Sequence, residues 1–258
     1  MGCLGMGRRA WTVAGENGVM STDVLQRTWE RPEQAVFEGH IVTLSRLDAE
    51  ADADGLFAAS HGQAGDEHIW RYLFNGPFAS RDALCDWLHG VEATHDPLFY
   101  TVHDRRSGLC AGQISILNIV PDMGRAELGS IWYGQAFQHT RVNTESIYLL
   151  LGYLFDTLLY RRVEWKCNAL NEPSRRAALR LGFSFEGLFR QHMVIKGHSR
   201  DTAWFAMMDH EWPSVKANFA RYFASDALSL TTLNRPIIEQ GATVRSLGDS
   251  SAPGRLAA

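Results

Sequence analysis

Cysteine is sparse in this sequence. The 258 residues contain four cysteines (Cys3, Cys85, Cys110 and Cys167), and no two of them form a C-x-x-C pair. Cys110 and Cys167 fall within strand-like runs, which favours buried, reduced thiols of a cytosolic protein over a disulfide framework. The histidines show no metal-ligand spacing, so we expect no metal.

An excess of positive charge and long apolar runs are also missing. The formal net charge of -4 excludes a general nucleic-acid-binding protein, and no run approaches the roughly 20 apolar residues of a membrane span. Arg8-Arg9 is followed by polar and glycine-rich sequence rather than by the apolar stretch of a signal peptide. With 45% hydrophobic and 21% charged residues, the chain has the composition of an ordinary globular protein. We therefore expect a cytoplasmic location and neither a nucleic-acid nor a membrane partner.

The chain divides into three parts by its periodicity. Residues 1–36 have weak periodicity and several glycines, which indicates an N-terminal extension, partly mobile, in which Met20 is as good a start as Met1. Residues 37–225 carry the regular patterns of one domain. Residues 226–258 are rich in small and polar types, which predicts a mobile tail.

Alternating and helical patterns follow one another through the domain. Strands are predicted at 39–44, 98–103, 109–119, 125–133, 163–169, 184–195 and 201–208. Helices are predicted at 48–61, after Ser80, at 147–159, after Pro173 and at 212–223. This order predicts an α+β fold: a mixed, mostly antiparallel central sheet with helices on both faces.

The segment Gln138-His139-Thr140-Arg141-Val142-Asn143-Thr144-Glu145 lies between the fourth of these strands and the helix that follows it. The first N–H groups of a helix have no intrahelical partner, and they lie at the positive end of the helix dipole. A short polar loop at this place therefore predicts an anion site.

A second cluster, Asn171-Glu172-Pro173-Ser174, ends in Leu181-Gly182-Phe183. The two clusters and their order resemble the acyl-CoA site of the GNAT acetyltransferases. Gln138 and Thr144-Glu145 match the family's first motif, and Asn171, Ser174 and Gly182-Phe183 match its second. Arg141 and Asn143 stand where the first motif has small residues, and Ala178 stands where a tyrosine, the frequent general acid, would be.

The resemblance is closest to the Rim-type branch, which includes acetyltransferases of ribosomal-protein N-termini. It covers about residues 37–215, and its further matches are Trp70-Arg71-Tyr72-Leu73, Gly76-Pro77-Phe78, Glu127-Leu128-Gly129, Phe185-Glu186-Gly187 and Arg190-Gln191. Rim-type members often lack the tyrosine as well. The resemblance implies acetyl-CoA as co-substrate, no metal, and transfer of the acetyl group to a primary amine.

The resemblance also implies roles for individual residues. The pyrophosphate would lie on the N–H groups of His139, Thr140, Arg141, Val142 and Asn143, next to Gln138. Trp132 and Tyr133 would offer backbone hydrogen bonds to pantetheine and the thioester. Asn171 would hold the pantetheine arm, Ser174 would lie near the sulfur, and Glu127 would be the general base. Trp70, Tyr72, Phe78, Glu186 and His192 would line the acceptor side.

Several of these residues have a structural alternative. Glu127 could pair with Arg125 or with a neighbouring strand, Asn171 could be an ordinary helix cap, and Ser174 could be only a helix-start hydrogen bonder. Glu186 and His192 could be purely structural, and the three aromatic residues could belong to the core. At the level of function, a catalytically silent CoA-binding relative and an enzyme that acetylates a small amine or antibiotic remain alternatives, and a homodimer remains open.

Overall fold

The computed structural model of this chain describes residues 28–62 and 67–247, with side chains up to residue 239 except that of Glu67. Most of the predicted N-terminal extension, including Met20, and the last residues of the predicted tail lie outside these ranges. No helix within these ranges is long and apolar enough to cross a membrane.

Eight strands of the described chain form one mixed sheet. They are β1 (Val36–Glu38), β2 (Val42–Arg46), β3 (Leu98–Asp104), β4 (Cys110–Val120), β5 (Arg125–Tyr133), β6 (Arg162–Asn168), β7 (Ser184–Ile195) and β8 (His198–Met208). Their order in the sheet is β1-β2-β3-β4-β5-β6-β8-β7. Neighbouring strands are antiparallel except β5 and β6, which are parallel. The predicted α+β fold is confirmed.

Helices cover both faces of the sheet. They are α1 (Ala49–His61), α2 (Glu67–Trp70), α3 (Arg81–Glu92), α4 (Arg141–Gly152), α5 (Glu172–Arg180), α6 (Trp212–Phe223) and α7 (Leu230–Leu247). Buried residues of α4, α5 and α6 share one hydrophobic cluster with inward-facing residues of the sheet. Buried residues of α1 and α3 form a second cluster with Trp70, Phe99 and Trp132 on the opposite face. Successive side chains of a strand point to opposite faces of the sheet, so the same strands contribute residues to both clusters.

The parallel strands β5 and β6 pair over only three residues each. The register joins Arg125 to Arg162, Ala126 to Val163 and Glu127 to Glu164, and the two strands do not pair beyond Glu127. The rest of β5 is therefore unpaired on the side of β6. The resulting gap, which we call the opening, lies beside the N-terminus of α4, because only the short connection 134–140 separates the end of β5 from α4.

Buried Glu145 fixes the position of α4 against the sheet. Its carboxylate accepts hydrogen bonds from the backbone N–H groups of His40 (3.0 Å), Ile41 (2.6 Å) and Val42 (2.8 Å), in the turn between β1 and β2. Hydrogen bonds from N–H groups to a carboxylate are among the stronger ones in proteins. Glu145, which the family motif marks at the start of the helix, therefore has a structural role.

Two predicted boundaries were wrong, and one helix was not predicted. The helix expected at 147–159 begins at Arg141, because Thr140 caps it, and a π-helical turn (Tyr153–Thr157) replaces its end. The first strand, expected at 39–44, begins at Val42, because residues 39–41 form the turn that Glu145 holds between β1 and β2. Part of the tail expected to be mobile forms α7, whose buried Asn234 donates to the carbonyl of Arg180 and accepts from Asn218.

Candidate active site

The loop between β5 and α4 is held by its own side chains. The Gln138 amide donates to the carbonyl of Tyr133 at 2.9 Å, and the Thr140 hydroxyl donates to the carbonyl of Phe137 at 2.6 Å. Thr140 also caps α4, accepting from the N–H of Val142 at 3.2 Å. His139 between them has a φ of 59°, a left-handed conformation that non-glycine residues rarely adopt. This ordered loop presents the N-terminus of α4 beside the opening.

Arg141 is the first residue of α4 and points away from the loop. Its guanidinium donates to the Asp226 carboxylate at 2.6 Å and lies 4.9 Å from the centre of the Tyr222 ring. The backbone of Arg141 is helical, so this position needs no glycine. Asn143, two residues later, has a buried Oδ1 with no hydrogen-bond partner among the described residues. Because the Arg141 side chain points toward Asp226 and Tyr222, it does not cover the backbone of the loop.

Strand β5 contains a bulge beside the opening. The register with β4 shifts between the pairs Gln113–Trp132 and Ser115–Gly129, and Ser130 has a φ of 51°. A bulge leaves one residue of the strand unpaired in the ladder and bends the strand locally. A glycine inside a strand pattern often marks a bulge, so Gly129 was a signal for this one in the sequence. Our prediction named Trp132 and Tyr133 as backbone donors and did not include the bulge. Trp132 and Tyr133 lie at the end of β5, and the Tyr133 carbonyl is already bonded to Gln138.

Glu127 lies on the face of the sheet opposite α4 and α5. Its carboxylate is 2.8 Å from the Nζ of Lys166 and accepts a hydrogen bond from the Asn118 amide at 2.6 Å. Burial raises the pKa of Glu127 above its ordinary value, and the charge and hydrogen bond of Lys166 offset part of that increase. Of the two pairings that the sequence suggested, the one with a neighbouring strand is present, through Lys166 of β6. Arg125 is not among the described ion-pair partners of Glu127 and pairs with Glu164.

Glu127 belongs to a larger set of ion pairs, which we call the charged network: Glu127, Glu164, Glu186, Lys166, Arg162 and Arg125. Lys166 also contacts Glu164 at 3.0 Å, and Arg162 joins Glu164 at 2.8 Å to Glu186 at 2.6 Å. Burial alone would raise the pKa of Glu164, but hydrogen bonds from Arg162 and Lys166 outweigh it and hold this pKa below the usual range. Hydrogen bonding to Glu186 raises the pKa of Arg162. Every carboxylate of the network therefore has a cationic partner.

Asn171 and Ser174 lie at the N-terminus of α5, beside β6. The Asn171 side chain accepts from the N–H of Ser174 at 3.2 Å, which is the capping role that the sequence left as an alternative. The Ser174 hydroxyl accepts from the indole N–H of Trp165 at 3.0 Å. Trp165 and Glu164 are neighbours on β6, so their side chains lie on opposite faces of the sheet. Ser174 and Glu127 are thus on opposite sides of the opening.

The predicted aromatic wall is partly core. Trp70 is 1% exposed and its ring lies 5.5 Å from Trp132 and 5.3 Å from Phe78. Tyr72 is half-buried, and its hydroxyl donates to the carbonyl of Leu170 at 3.2 Å, between β6 and α5. The segment that carries these residues is also held by Lys196, which donates to the carbonyls of Trp70 (2.8 Å) and Asn75. This segment therefore bridges the β7–β8 turn and the end of β6.

The other two predicted acceptor residues are both held by neighbours. Glu186 is bound by Arg162, as described above. The Nδ1 of His192 lies 3.0 Å from the Thr202 hydroxyl, and its ring lies 6.1 Å from Trp204. Trp204 in turn stacks under Lys166, whose Nζ is 4.0 Å from the ring centre. His192 and the charged network are therefore linked through one tryptophan.

Lys166 and Asn118 contact Glu127, Trp204 contacts Lys166, and Arg162 contacts Glu164; none of these four residues was predicted from the sequence. Glu164 and Lys166 do alternate on β6, which places both on one face of the sheet. Their contact with Glu127 depends on the parallel register of β5 and β6, and periodicity carries no information about that register.

The site has three parts: the opening between β5 and β6, the N-terminus of α4 beside it, and the buried carboxylate of Glu127 on the opposite face of the sheet. This combination defines a class of acyl-CoA-dependent transferases. The chain matches the family model "Acetyltransferase (GNAT) domain" over residues 42–184. The chain therefore belongs to the GNAT acetyltransferase family, and it is an N-acetyltransferase of that family. Acetyl-CoA is the co-substrate of this family.

Individual relatives agree with this assignment. The chain is 30% identical over 157 residues to YdaF of Bacillus subtilis (strain 168), which carries the provisional name of a ribosomal N-acetyltransferase; the match covers 57% of this chain and 80% of YdaF. The crystal structure of a GCN5-related N-acetyltransferase from Brucella melitensis is 41% identical, with a TM-score of 0.78, covering 81% of this chain and 98% of that one. A provisionally assigned GNAT-family acetyltransferase from Chromobacterium violaceum ATCC 12472 is 35% identical, with a TM-score of 0.68, covering 79% and 100%.

Proposed function

We propose that this enzyme acetylates the α-amine of a protein or peptide N-terminus in the cytoplasm, by direct attack of the amine on acetyl-CoA. The observation that supports this acceptor is the charge balance of the network beside Glu127. Glu127, Glu164 and Glu186 each pair with a cation within 4 Å. A polyamine or an aminoglycoside carries several positive charges and needs unpaired carboxylates to bind them, and this network offers none. A single neutral amine needs only a base.

The acid–base chemistry of the acceptor supports the same choice. At pH 7, deprotonating an α-amine of pKa about 7.7–8.0 costs about 1 kcal/mol, whereas a lysine amine of pKa about 10.4 costs about 4.6 kcal/mol. Lys166, paired to Glu127 at 2.8 Å, places a positive charge beside the base and disfavours a second ammonium there. The name of YdaF, a ribosomal acetyltransferase, agrees with a protein acceptor.

In this mechanism the co-substrate, acetyl-CoA, lies in the opening. The N–H groups of His139, Thr140, Arg141 and Asn143 bind the pyrophosphate, while that of Val142 donates to Thr140, and Gln138 and Thr140 hold the loop in shape. Backbone groups of β5 at the Ser130 bulge and at Trp132 and Tyr133 face the pantetheine and the thioester oxygen. Asn171 holds the pantetheine arm through the half of its amide that the cap leaves unused.

The proton transfers are divided between the two sides of the opening. Glu127 accepts the proton of the attacking amine, directly or through a water, and its raised pKa keeps it basic enough for an α-amine. The leaving thiolate takes its proton from Ser174 or from water, because a thiol of pKa about 8.5 needs no strong acid. Ala178, at the position of the usual tyrosine, is fully buried and cannot contribute. Tyr72, Phe78, Glu186 and His192 position the acceptor, and Trp70, which is 1% exposed, supports the Phe78 ring from the core.

A thermal-unfolding measurement with acetyl-CoA, followed by a thiol-release assay, tests this proposal. Ligand at about 100 times its dissociation constant stabilises the folded state by about 2.7 kcal/mol, which raises the melting temperature visibly. The assay compares a peptide with a free N-terminus, the same peptide with a blocked N-terminus and an internal lysine, spermidine, and an aminoglycoside. Thiol release with the free N-terminus alone is the expected result, and release with spermidine or the aminoglycoside instead would contradict the acceptor class.

The second candidate function is CoA binding without catalysis, which the absence of the tyrosine at Ala178 favours. Replacing both Asn171 and Ser174 by alanine separates the two. An active enzyme loses most of its acetyl transfer in the double variant, and unchanged kinetics would show that the site is wrongly assigned. A wild-type protein that is stabilised by acetyl-CoA but releases no thiol with any of the four acceptors is the result expected of the silent relative.

A further inference from the structure

The first turn of α1 and the middle of α3 bring together three metal-ligating side chains, Glu50, Cys85 and His89. Their ligand atoms all lie within 4.8 Å of one another. Cys85 and His89 are four residues apart on α3 and therefore project from the same face of that helix. Glu50 reaches them from α1. None of the three residues belongs to the site described above, and the scattered cysteines and histidines of the sequence did not predict this cluster.

His89 is oriented as a metal-binding histidine is. Its Nδ1 lies 3.0 Å from Oε1 of Glu92, and Oε2 of Glu92 accepts the N–H of Ala49 at 2.8 Å. Glu92 is thus fixed between the two helices and accepts a hydrogen bond from Nδ1–H of His89. The Nε2 of His89 is then directed at Glu50, 2.9 Å away. A carboxylate that orients a histidine through its second nitrogen is a recurring outer-shell arrangement at zinc sites.

We propose that Cys85, His89 and Glu50 bind one zinc ion that joins α1 to α3. A thiolate, an imidazole and a carboxylate form the ligand set that zinc accepts, whereas magnesium and calcium prefer oxygen ligands alone. Metal–ligand distances of about 2.0–2.3 Å require the ligand atoms to approach one another further. The Glu50 side chain is 74% exposed and can move inward, while Cys85 is 5% exposed and already sits between the helices.

Binding follows a simple proton balance. Sγ of Cys85 and Nε2 of His89, which donates to Glu50 in the metal-free chain, each lose one proton to solvent and bond to zinc, while Nδ1–H of His89 keeps its hydrogen bond to Glu92. Glu50 binds through one oxygen, and a water completes four-coordination. Because the ion joins two helices that cover the second hydrophobic cluster, it stabilises the folded chain.

Metal titration of the tag-free enzyme, freed of metal with a chelator and dialysed, tests the proposal. Wild type is expected to bind one Zn²⁺ per chain, measured by elemental analysis after dialysis, and to melt several degrees higher with zinc. Co²⁺ is expected to give a thiolate charge-transfer band. Cys85→Ser and His89→Gln each lose the bound ion and the zinc-dependent shift. Cys110→Ser and His95→Gln, which change a thiol and an imidazole outside the cluster, retain both.

Two results would overturn the proposal. One is wild-type protein that retains no stoichiometric zinc; His89 would then serve only to bridge Glu50 and Glu92. The other is zinc retained by both Cys85→Ser and His89→Gln, which would place the ion elsewhere. Circular dichroism of the metal-free variants shows that each is folded, and since His89 is half-exposed, His89→Gln keeps the test valid if the cysteine variant does not fold.

Discussion

The two sides of the opening offer different chemical groups: backbone N–H groups on one side and buried, ion-paired side chains on the other. On the side of α4, the loop Gln138–Thr140 is ordered by short hydrogen bonds between its own side chains and backbone, and its one large cation, Arg141, points elsewhere. On the other side, Glu127 and Lys166 are nearly buried and belong to a chain of ion pairs. The first side offers backbone N–H groups to an anion, and the second offers a proton acceptor to an amine.

This difference has a consequence for mutagenesis. Side-chain substitutions cannot remove backbone N–H groups, so changes on the α4 side should have small effects on acetyl-CoA binding. Substitutions in the charged network leave a buried charge without its partner, which is costly. Mutations on the two sides of the opening should therefore separate cofactor binding from chemistry and stability.

The largest effect is expected from Glu127→Gln. Loss of a general base lowers kcat/KM by about 10²–10⁴-fold, while the dissociation constant of acetyl-CoA stays near that of the wild type. Glu164→Gln is the matched control, because it changes a carboxylate of the same network on the other side of Lys166 and should cost far less activity. Wild-type kcat/KM in Glu127→Gln would leave Glu127 as an ion-pair residue only.

The pH profile sharpens this test. A base acts in its deprotonated form, and burial raises the pKa of Glu127 above its ordinary value of about 4.3. The acidic limb of kcat/KM against pH should therefore lie above the usual glutamate range and should disappear in Glu127→Gln. The limb of the α-amine itself, near pH 8, should remain in both proteins.

Lys166→Met is expected to have the largest effect on stability. Breaking a buried ion pair by removing one partner costs about 3–5 kcal/mol, because Glu127 and Glu164 then lose a shared cation. Chemical denaturation measures this loss. Lys216→Met removes a half-exposed pair with Asp156 and is the control, with an expected cost of about 1 kcal/mol or less. Equal losses in the two variants would mean that the charged network is solvated in solution.

Much of this fold was predictable, because local patterns specify it. Alternation identified most of the strands, Ser80 marked the start of α3, and paired motifs placed Asn171 and Ser174 at the start of α5. The partner of Glu127 was not predictable, since Lys166 meets it only through the register of two strands distant in sequence. Helix α7 was missed because it packs through few residues, such as Leu230 and Asn234, within a polar segment.

On the α4 side, Thr140→Ala should have a modest effect. Loss of an N-cap costs about 1 kcal/mol of stability, and the distortion of the loop should weaken acetyl-CoA binding by no more than about fivefold. Thr140→Ser keeps the hydroxyl that accepts from Val142 and should behave like the wild type. Thermal unfolding and acetyl-CoA titration measure the two quantities. A loss of binding beyond a hundredfold would show that the Thr140 hydroxyl itself contacts the cofactor.

The smallest effect is expected from Arg141→Gln, although Arg141 occupies the centre of the family's phosphate-binding motif. Its guanidinium is paired with the exposed Asp226, and such pairs contribute about 0.2–1 kcal/mol. The acetyl-CoA dissociation constant should therefore change less than about twofold, and Asp226→Asn, which breaks the same pair but keeps the arginine, should match it. A tenfold loss in Arg141→Gln alone, growing weaker at high salt, would mean that the guanidinium leaves Asp226 for a phosphate. In that case the α4 side would bind acetyl-CoA through the charge of Arg141 as well as through backbone N–H groups. The contrast between the two sides of the opening would then hold only for the protein without acetyl-CoA.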